Sequence, residues 1–242
     1  MTAVPQKTDQ IRPVDKPPGE FLKPTYFADF DNPAIGAFAR DRIGDAKTDT
    51  EKAIKLFYAV RDEIRYNPYT FSLRPEAYRA SYILENKQGW CVTKSALMTA
   101  AARSIGIPAR MGYADVRNHL ATPRFRDLVG TDLMSYHGYV ELWLNERWIK
   151  VTPVFDINLC RKLNVKAQNF DGTADALLQP FDHSGQKHME YVVDRGIYDD
   201  IPLNEIEADF RVRYPRYVEE MAKSERERGD FQAEAAAAGK TA

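Results

Sequence analysis

The order of periodicities along the chain predicts an α+β fold. Helical repeats occupy the first half, mostly antiparallel strand patterns follow, and no βαβ alternation appears. A hairpin whose facing residues match in chemistry supports the second half. Of the 242 residues, 44% are hydrophobic, 12% aromatic and 29% charged, which suits a sizeable core under an ordinary charged surface. Thirty-four Lys plus Arg against 35 Asp plus Glu leave a net charge of -1, so there is no whole-molecule field for nucleic acid or an anionic membrane. No apolar run approaches the roughly 18 residues of a membrane span, and Met1 to Lys7 lack the apolar segment of a secretory signal. With only Cys91 and Cys160, and no CxxC spacing, the chain has neither a disulfide framework nor a zinc signature. The expectation is a reduced, cytoplasmic protein that needs no cofactor and contacts neither nucleic acid nor membrane.

Three regions follow from composition. Residues 1–24, with Pro5, Pro13, Pro17, Pro18 and Pro24, read as an extended arm. Residues 25–221 form the folded domain. Residues 222–242, a charge run followed by Ala235 to Ala238, read as a solvated tail. Within the domain, Thr48 and Glu51 have capping-box spacing, and Ala53, Leu56, Phe57, Val60 and Ile64 recur at helical period until Asn67-Pro68. A second helix is expected over Pro75 to Leu84. Gln88-Gly89 breaks the chain, and a third helix runs from Cys91 to Ile105, ended by Gly106 and Pro108.

Met111, Tyr113 and Val116 then mark a strand, and residues 117–134 read as an irregular excursion. Taking Asn145-Glu146 as a two-residue turn pairs Leu144 with Arg147. Trp143 then faces Trp148 and Glu141 faces Lys150, an aromatic pair and an opposite-charge pair that support the register. Continued outward, the register puts Tyr139 opposite Thr152 and His137 opposite Val154, with Thr152 and Asp156 diagonal to His137. Glu190 to Val193 suggest another strand, and Leu203, Ile206 and Phe210 a helical stripe before Pro215.

Cys91 sits where a helix begins. A helix N-terminus carries about half a positive charge and unpaired amides, which favour a thiolate and can hold a developing oxyanion. With an imidazolium nearby, a cysteine pKa falls from about 8.5 into the range of about 3.5 to 7.5. His137 is the base that the hairpin supplies, and Asp156 the carboxylate that fixes its tautomer.

The same residues carry a resemblance. Gly89-Trp90-Cys91 followed by Lys94 to Leu97, Gly106 to Arg110 and Gly112-Tyr113 resembles the cysteine segment of the transglutaminase-like superfamily. His137 to Trp143 resembles its histidine strand, and Trp148 to Pro153 its final strand. The resemblance covers roughly residues 50 to 156. It implies a papain-like α+β core, with a Cys91 helix packed on an antiparallel sheet, and a metal-free triad with Cys91 as nucleophile and His137 as base. It also implies peptidase, amidase, cross-linking or acyl-transfer chemistry. Such sequences usually carry an aspartate directly before the proline of the last strand, where this chain has Thr152-Pro153. Asp156 is the preferred orienter, Thr152 the alternative, and a degenerate site without a triad the third.

Other residues have a functional and a plain reading. Arg117, Asn118 and His119 suit a substrate carboxylate or carbonyl, or a self-satisfied turn. Trp90 shapes an acyl pocket or simply packs. Tyr66 and Tyr136 donate to an oxyanion or pack. Cys160 reads as a small buried residue. His183 and His188, near Asp182 and Glu190, lack metal-ligand spacing and read as surface residues. Hydrolysis or acyl transfer on a small-molecule or peptide substrate is the expected activity. The alternatives are a binding module that has lost catalysis, or thiol-dependent chemistry on a small metabolite, C–C bond cleavage included.

Overall fold

The computed structural model describes residues 18–119, 121–178, 183, 185, 188–223 and 228–238. Its first half is helical: α1 (Pro33–Ile43), α2 (Asp49–Glu63), α3 (Ala80–Asn86) and α4 (Cys91–Ser104). The capping box forms as expected, Glu51 N–H donating to Thr48 Oγ1 at 3.2 Å and Thr48 N–H to Glu51 Oε2 at 3.0 Å. α4 is enclosed by the other three helices and the main sheet, and every residue from Cys91 to Arg103 is buried. Hence the run of small residues in Ala96 to Ala102, which lets neighbours approach on all sides instead of along one stripe.

The helix expected over Pro75 to Leu84 is broken. A 3-10 turn over Pro75–Tyr78 meets α3 at Arg79, which is extended (φ -64°, ψ 140°). The break occurs because the next amides are engaged elsewhere: Ala80 N–H donates to Phe27 O and Ser81 N–H to the buried Asp29 carboxylate.

The strands β3 (Ala109–Asn118), β4 (Leu133–Leu144), β5 (Arg147–Val151) and β6 (Met189–Tyr198) make an antiparallel sheet in the order β5-β4-β3-β6. Asn145 and Glu146 adopt φ of 51° and 62°, as the two-residue turn requires. The expected pairs Leu144–Arg147, Trp143–Trp148 and Glu141–Lys150 all form. Beyond Val140–Val151 the ladder stops, because Thr152 N–H turns to Ala176 O. The outward continuation that put Tyr139 opposite Thr152 and His137 opposite Val154 is therefore corrected. The excursion over 117–134 is also more regular than expected, with β3 reaching Asn118 and α5 (Pro123–Val129) capped by Thr122.

A two-stranded parallel pair, β1 (Arg65–Tyr66) with β2 (Gln88–Gly89), links the end of α2 to the start of α4. The remaining helices are α6 (Ile157–Lys162), α7 (Leu203–Arg213), α8 (Pro215–Met221) and α9 (Phe231–Ala238). Among the described residues no helix is long and apolar enough to cross a membrane.

Both ends depart from expectation where they are described. Residues 1–17 of the arm lie outside the described residues. Pro18–Leu22 coils into a 3-10 turn that buries Phe21 against the Trp148 edge, 5.4 Å between centroids. In the region expected to be a solvated tail, α9 buries Phe231 and Ala235. Its Glu234 accepts from Tyr69 Oη at 2.8 Å and Thr122 Oγ1 at 3.0 Å and pairs with Arg124. One phenylalanine and one paired carboxylate outweigh a polar composition.

Candidate active site

The parallel pairing of Tyr66 with Gly89 sets the entry to α4. Trp90 is extended, its N–H donates to Thr93 Oγ1 at 3.0 Å, and no side chain caps the first amides of the helix. Those amides are left for Cys91: the Cys91 and Val92 N–H groups interact with its sulfur, as does the Gly138 N–H from β4. Gly138 is what permits this. A Cβ there would stand 3.0 Å from Val92 Cα and 3.1 Å from Cys91 O, both backbone atoms that have little freedom to retreat. The backbone of β4 at Gly138 thus lies against the first residues of α4. Gly138→Ala is expected to destabilise the fold by roughly 1–3 kcal/mol through overpacking. It should also slow alkylation of Cys91, and urea unfolding together with iodoacetamide labelling checks both effects.

Cys91 and His137 line one narrow cleft, with about 50 Å³ free inside it, together with Trp90, Asn118, Ser135 and Tyr66. The rest of the lining is apolar or aromatic, and among the described residues no Asp, Glu, Lys or Arg contributes to it. Two buried polar atoms among the lining residues, Trp90 Nε1 and His137 Nε2, have no hydrogen-bond partner among the described residues.

Burial governs the electrostatics. It pushes the Cys91 thiol up to about 11, against the opposing pull of the Gly138, Val92 and Cys91 amides. It pushes the His137 imidazole down to about 4, with no carboxylate opposing it. The expected thiolate beside an imidazolium is corrected: at neutral pH the free site holds a neutral thiol and a neutral imidazole. Loss of water costs the charged forms more than the helix start returns.

Asp156 is drawn elsewhere. Because the chain leaves the sheet at Thr152, the expectation that it stays extended past Pro153 fails and Asp156 becomes the N-cap of α6. It is buried, accepting from Leu159 N–H at 3.0 Å, Tyr66 N–H at 3.0 Å and Gln232 Nε2 at 2.7 Å, and it does not line the cleft. Thr152, also buried, donates to Ala176 O at 3.1 Å. The Tyr191 ring lies edge-on to His137 at 5.9 Å. The position where an aspartate was expected is thus tied to Ala176.

Of the loop trio, only Asn118 lines the cleft. Arg117 pairs with Asp132 at 2.6 Å and His119 approaches Glu190 at 3.7 Å, so the reading of both as holders of a substrate carboxylate is corrected. Tyr136 does not line the cleft either. It adopts φ of 54° where the β3–β4 register shifts, donates its N–H to Asp115 at 3.2 Å, and lies under the Arg195 guanidinium at 4.0 Å. Its neighbours Ser135 and His137, two apart along β4, both line the cleft.

Cys160 is buried, as expected. His183 is exposed, but His188 is buried and stacked on Phe155, 5.9 Å between rings, which corrects its reading as a surface residue. Asp182 lies outside the described residues. Among the described residues no group of three or more His, Cys, Asp or Glu is placed to hold a metal. Sequence reasoning missed Ser135, Phe125, Met189 and the far wall made by Phe210, Tyr214 and Tyr217. The spacing of those last three at i, i+4 and i+7 continues the stripe read only as far as Phe210.

Residues 36–153 match the model of the transglutaminase-like superfamily core. No curated protein matches the chain. Among solved structures it is similar to one from Cytophaga hutchinsonii described as a "Putative Cysteine Protease", with TM-score 0.47, 18% identity, and coverage of 77% of this chain and 49% of that one. It is also similar to one from Parabacteroides distasonis described as a "putative protease", with TM-score 0.37, 12% identity, and coverage of 62% and 32%. The chain thus matches about half the length of the first and about a third of the second.

Proposed function

Residues 36–153 form a transglutaminase-like superfamily domain, and from that premise we propose that the protein is a cysteine-dependent hydrolase or acyl transferase. The observation that carries this reading is the placement of Cys91 and His137 in one cleft, with the Gly138 N–H on the sulfur. As a substrate carbonyl reaches Cys91, neutral His137 takes the thiol proton and the S–C bond forms. Uncapped amides at the start of α4 face the oxyanion. The carbonyl re-forms, the leaving group departs with the proton from His137, and an acyl-thioester remains until water or a small amine resolves it. Peptidase or amidase chemistry is favoured over cross-linking, and the substrate is a small molecule or a peptide.

The test uses p-nitrophenyl phenylacetate. At pH 7 it is expected to give a burst of p-nitrophenolate and a phenylacetyl adduct on Cys91 by mass spectrometry. The burst rate should stay flat down to about pH 5 and fall with a midpoint near 4, where His137 becomes protonated, instead of near the ordinary 6.5. A midpoint near 6.5 or an adduct on another residue contradicts the mechanism.

A second reading, a binding module that keeps the fold without catalysis, is favoured by the raised Cys91 thiol and by Asp156 being engaged away from the cleft. It predicts no burst at any pH.

A further inference from the structure

The cleft carries information about what enters it. Its walls around the Cys91–His137 pair include Phe125, Phe155, Phe210, Tyr217, Val129 and Met134, and among the described residues no ionisable acid or base other than His137, Cys91 and tyrosine lines it. A charged group brought into such a site loses its water and meets no opposite charge. One donor does stand ready. Trp90 is 5% exposed, its indole Nε1–H has no acceptor among the described residues, and it immediately precedes Cys91. Its ring is held edge-on against Phe71, at 6.0 Å, and Tyr78, at 6.3 Å, and is tilted against Phe210 at 5.8 Å, so the donor is fixed in direction. A buried N–H without a partner costs free energy unless a ligand supplies the acceptor.

We infer that the acyl part of the substrate is an uncharged aryl or alkyl group, and that the Trp90 indole N–H receives its carbonyl oxygen beside Cys91. The inference rests on the proposed function for its chemistry but not for its binding. The cleft is narrow as well as apolar, with about 50 Å³ free inside it, so the acyl group it takes is small and uncharged. The unpartnered His137 Nε2 lies among the same lining residues, so two buried polar atoms without partners face largely apolar walls.

Calorimetric titration of the whole chain with three amides tests this: phenylacetamide (neutral), succinamate (anionic) and glycinamide (cationic). Phenylacetamide is expected to bind at least about 100-fold more tightly than either charged amide. Trp90→Phe, which keeps a ring and removes the N–H, is expected to weaken phenylacetamide about 10-fold. Equal or tighter binding of a charged amide overturns the assignment, as does binding of a capped dipeptide amide in preference to phenylacetamide. An unchanged Kd in Trp90→Phe removes the carbonyl contact. The ligand series on the unmodified chain decides the matter even if that variant does not fold. Preferential binding of phenylacetamide without any acyl burst upholds this inference and sinks the catalytic reading instead, so the two failures are distinguishable.

Discussion

Cys91→Ala is expected to lower kcat/KM for p-nitrophenyl phenylacetate by at least about 10⁴-fold, with no acyl adduct left on the chain. The size follows from the roles assigned. Without sulfur no covalent intermediate forms, and the helix-start amides alone give only the residual acceleration expected of an oxyanion site. The fold should survive, because the change removes a single atom at a cleft wall. His137→Ala is expected to cost about 10²–10⁴. The double variant should be little worse than Cys91→Ala alone, since both residues serve one proton transfer. Steady-state kinetics and intact-mass spectrometry read all three variants. Undiminished turnover in Cys91→Ala would falsify the nucleophile assignment.

Asp156→Ala is expected to destabilise the chain by roughly 3–5 kcal/mol, seen as a lower urea midpoint. Three donors lose their acceptor: the amides of Tyr66 and Leu159 and the side chain of Gln232. A buried cation also loses its support. Lys94 is fully buried, with Nζ donating to Arg61 O at 2.9 Å and to Ile64 O. Burial pulls its pKa down to about 7, and Asp156 is the strongest influence holding it up. The folded-state value lies below the unfolded one, so Lys94 makes stability rise as pH climbs from about 7 to about 10.5. Removing Asp156 should extend that rise to lower pH. The acid limb of the acyl burst separates this structural role from orientation of His137. In Asp156→Asn a structural role leaves the midpoint near 4, whereas direct contact with the imidazole would move it.

Where local chemistry decides geometry, the sequence was legible. The Thr48–Glu51 box, the Asn145-Glu146 turn and the Trp143–Trp148 pair each depend on residues close in the chain or directly opposite in the hairpin. The helix start at Cys91 and the delivery of His137 by β4 followed from the same signals. What failed depended on distant partners. Asp156 was placed by extending a strand that a carbonyl 24 residues away, Ala176 O, redirects at Thr152. The charge states failed because burial is a property of the assembled cleft, to which α5, α7 and α8 contribute walls. Arg117 looked free for a ligand until Asp132 came alongside.

The docking of α9 has a consequence for synthesis of the chain. Phe231 packs edge-on against Tyr66 and Phe125, which themselves line the cleft, and Gln232 grips the carboxylate that also anchors Tyr66. A nascent polypeptide halted anywhere before Phe231 lacks these braces, although Cys91 and His137 have long since been translated. Such an intermediate already holds Cys91 and His137 but lacks the brace behind Tyr66 and Phe125, so the cleft wall is completed only near the end of synthesis.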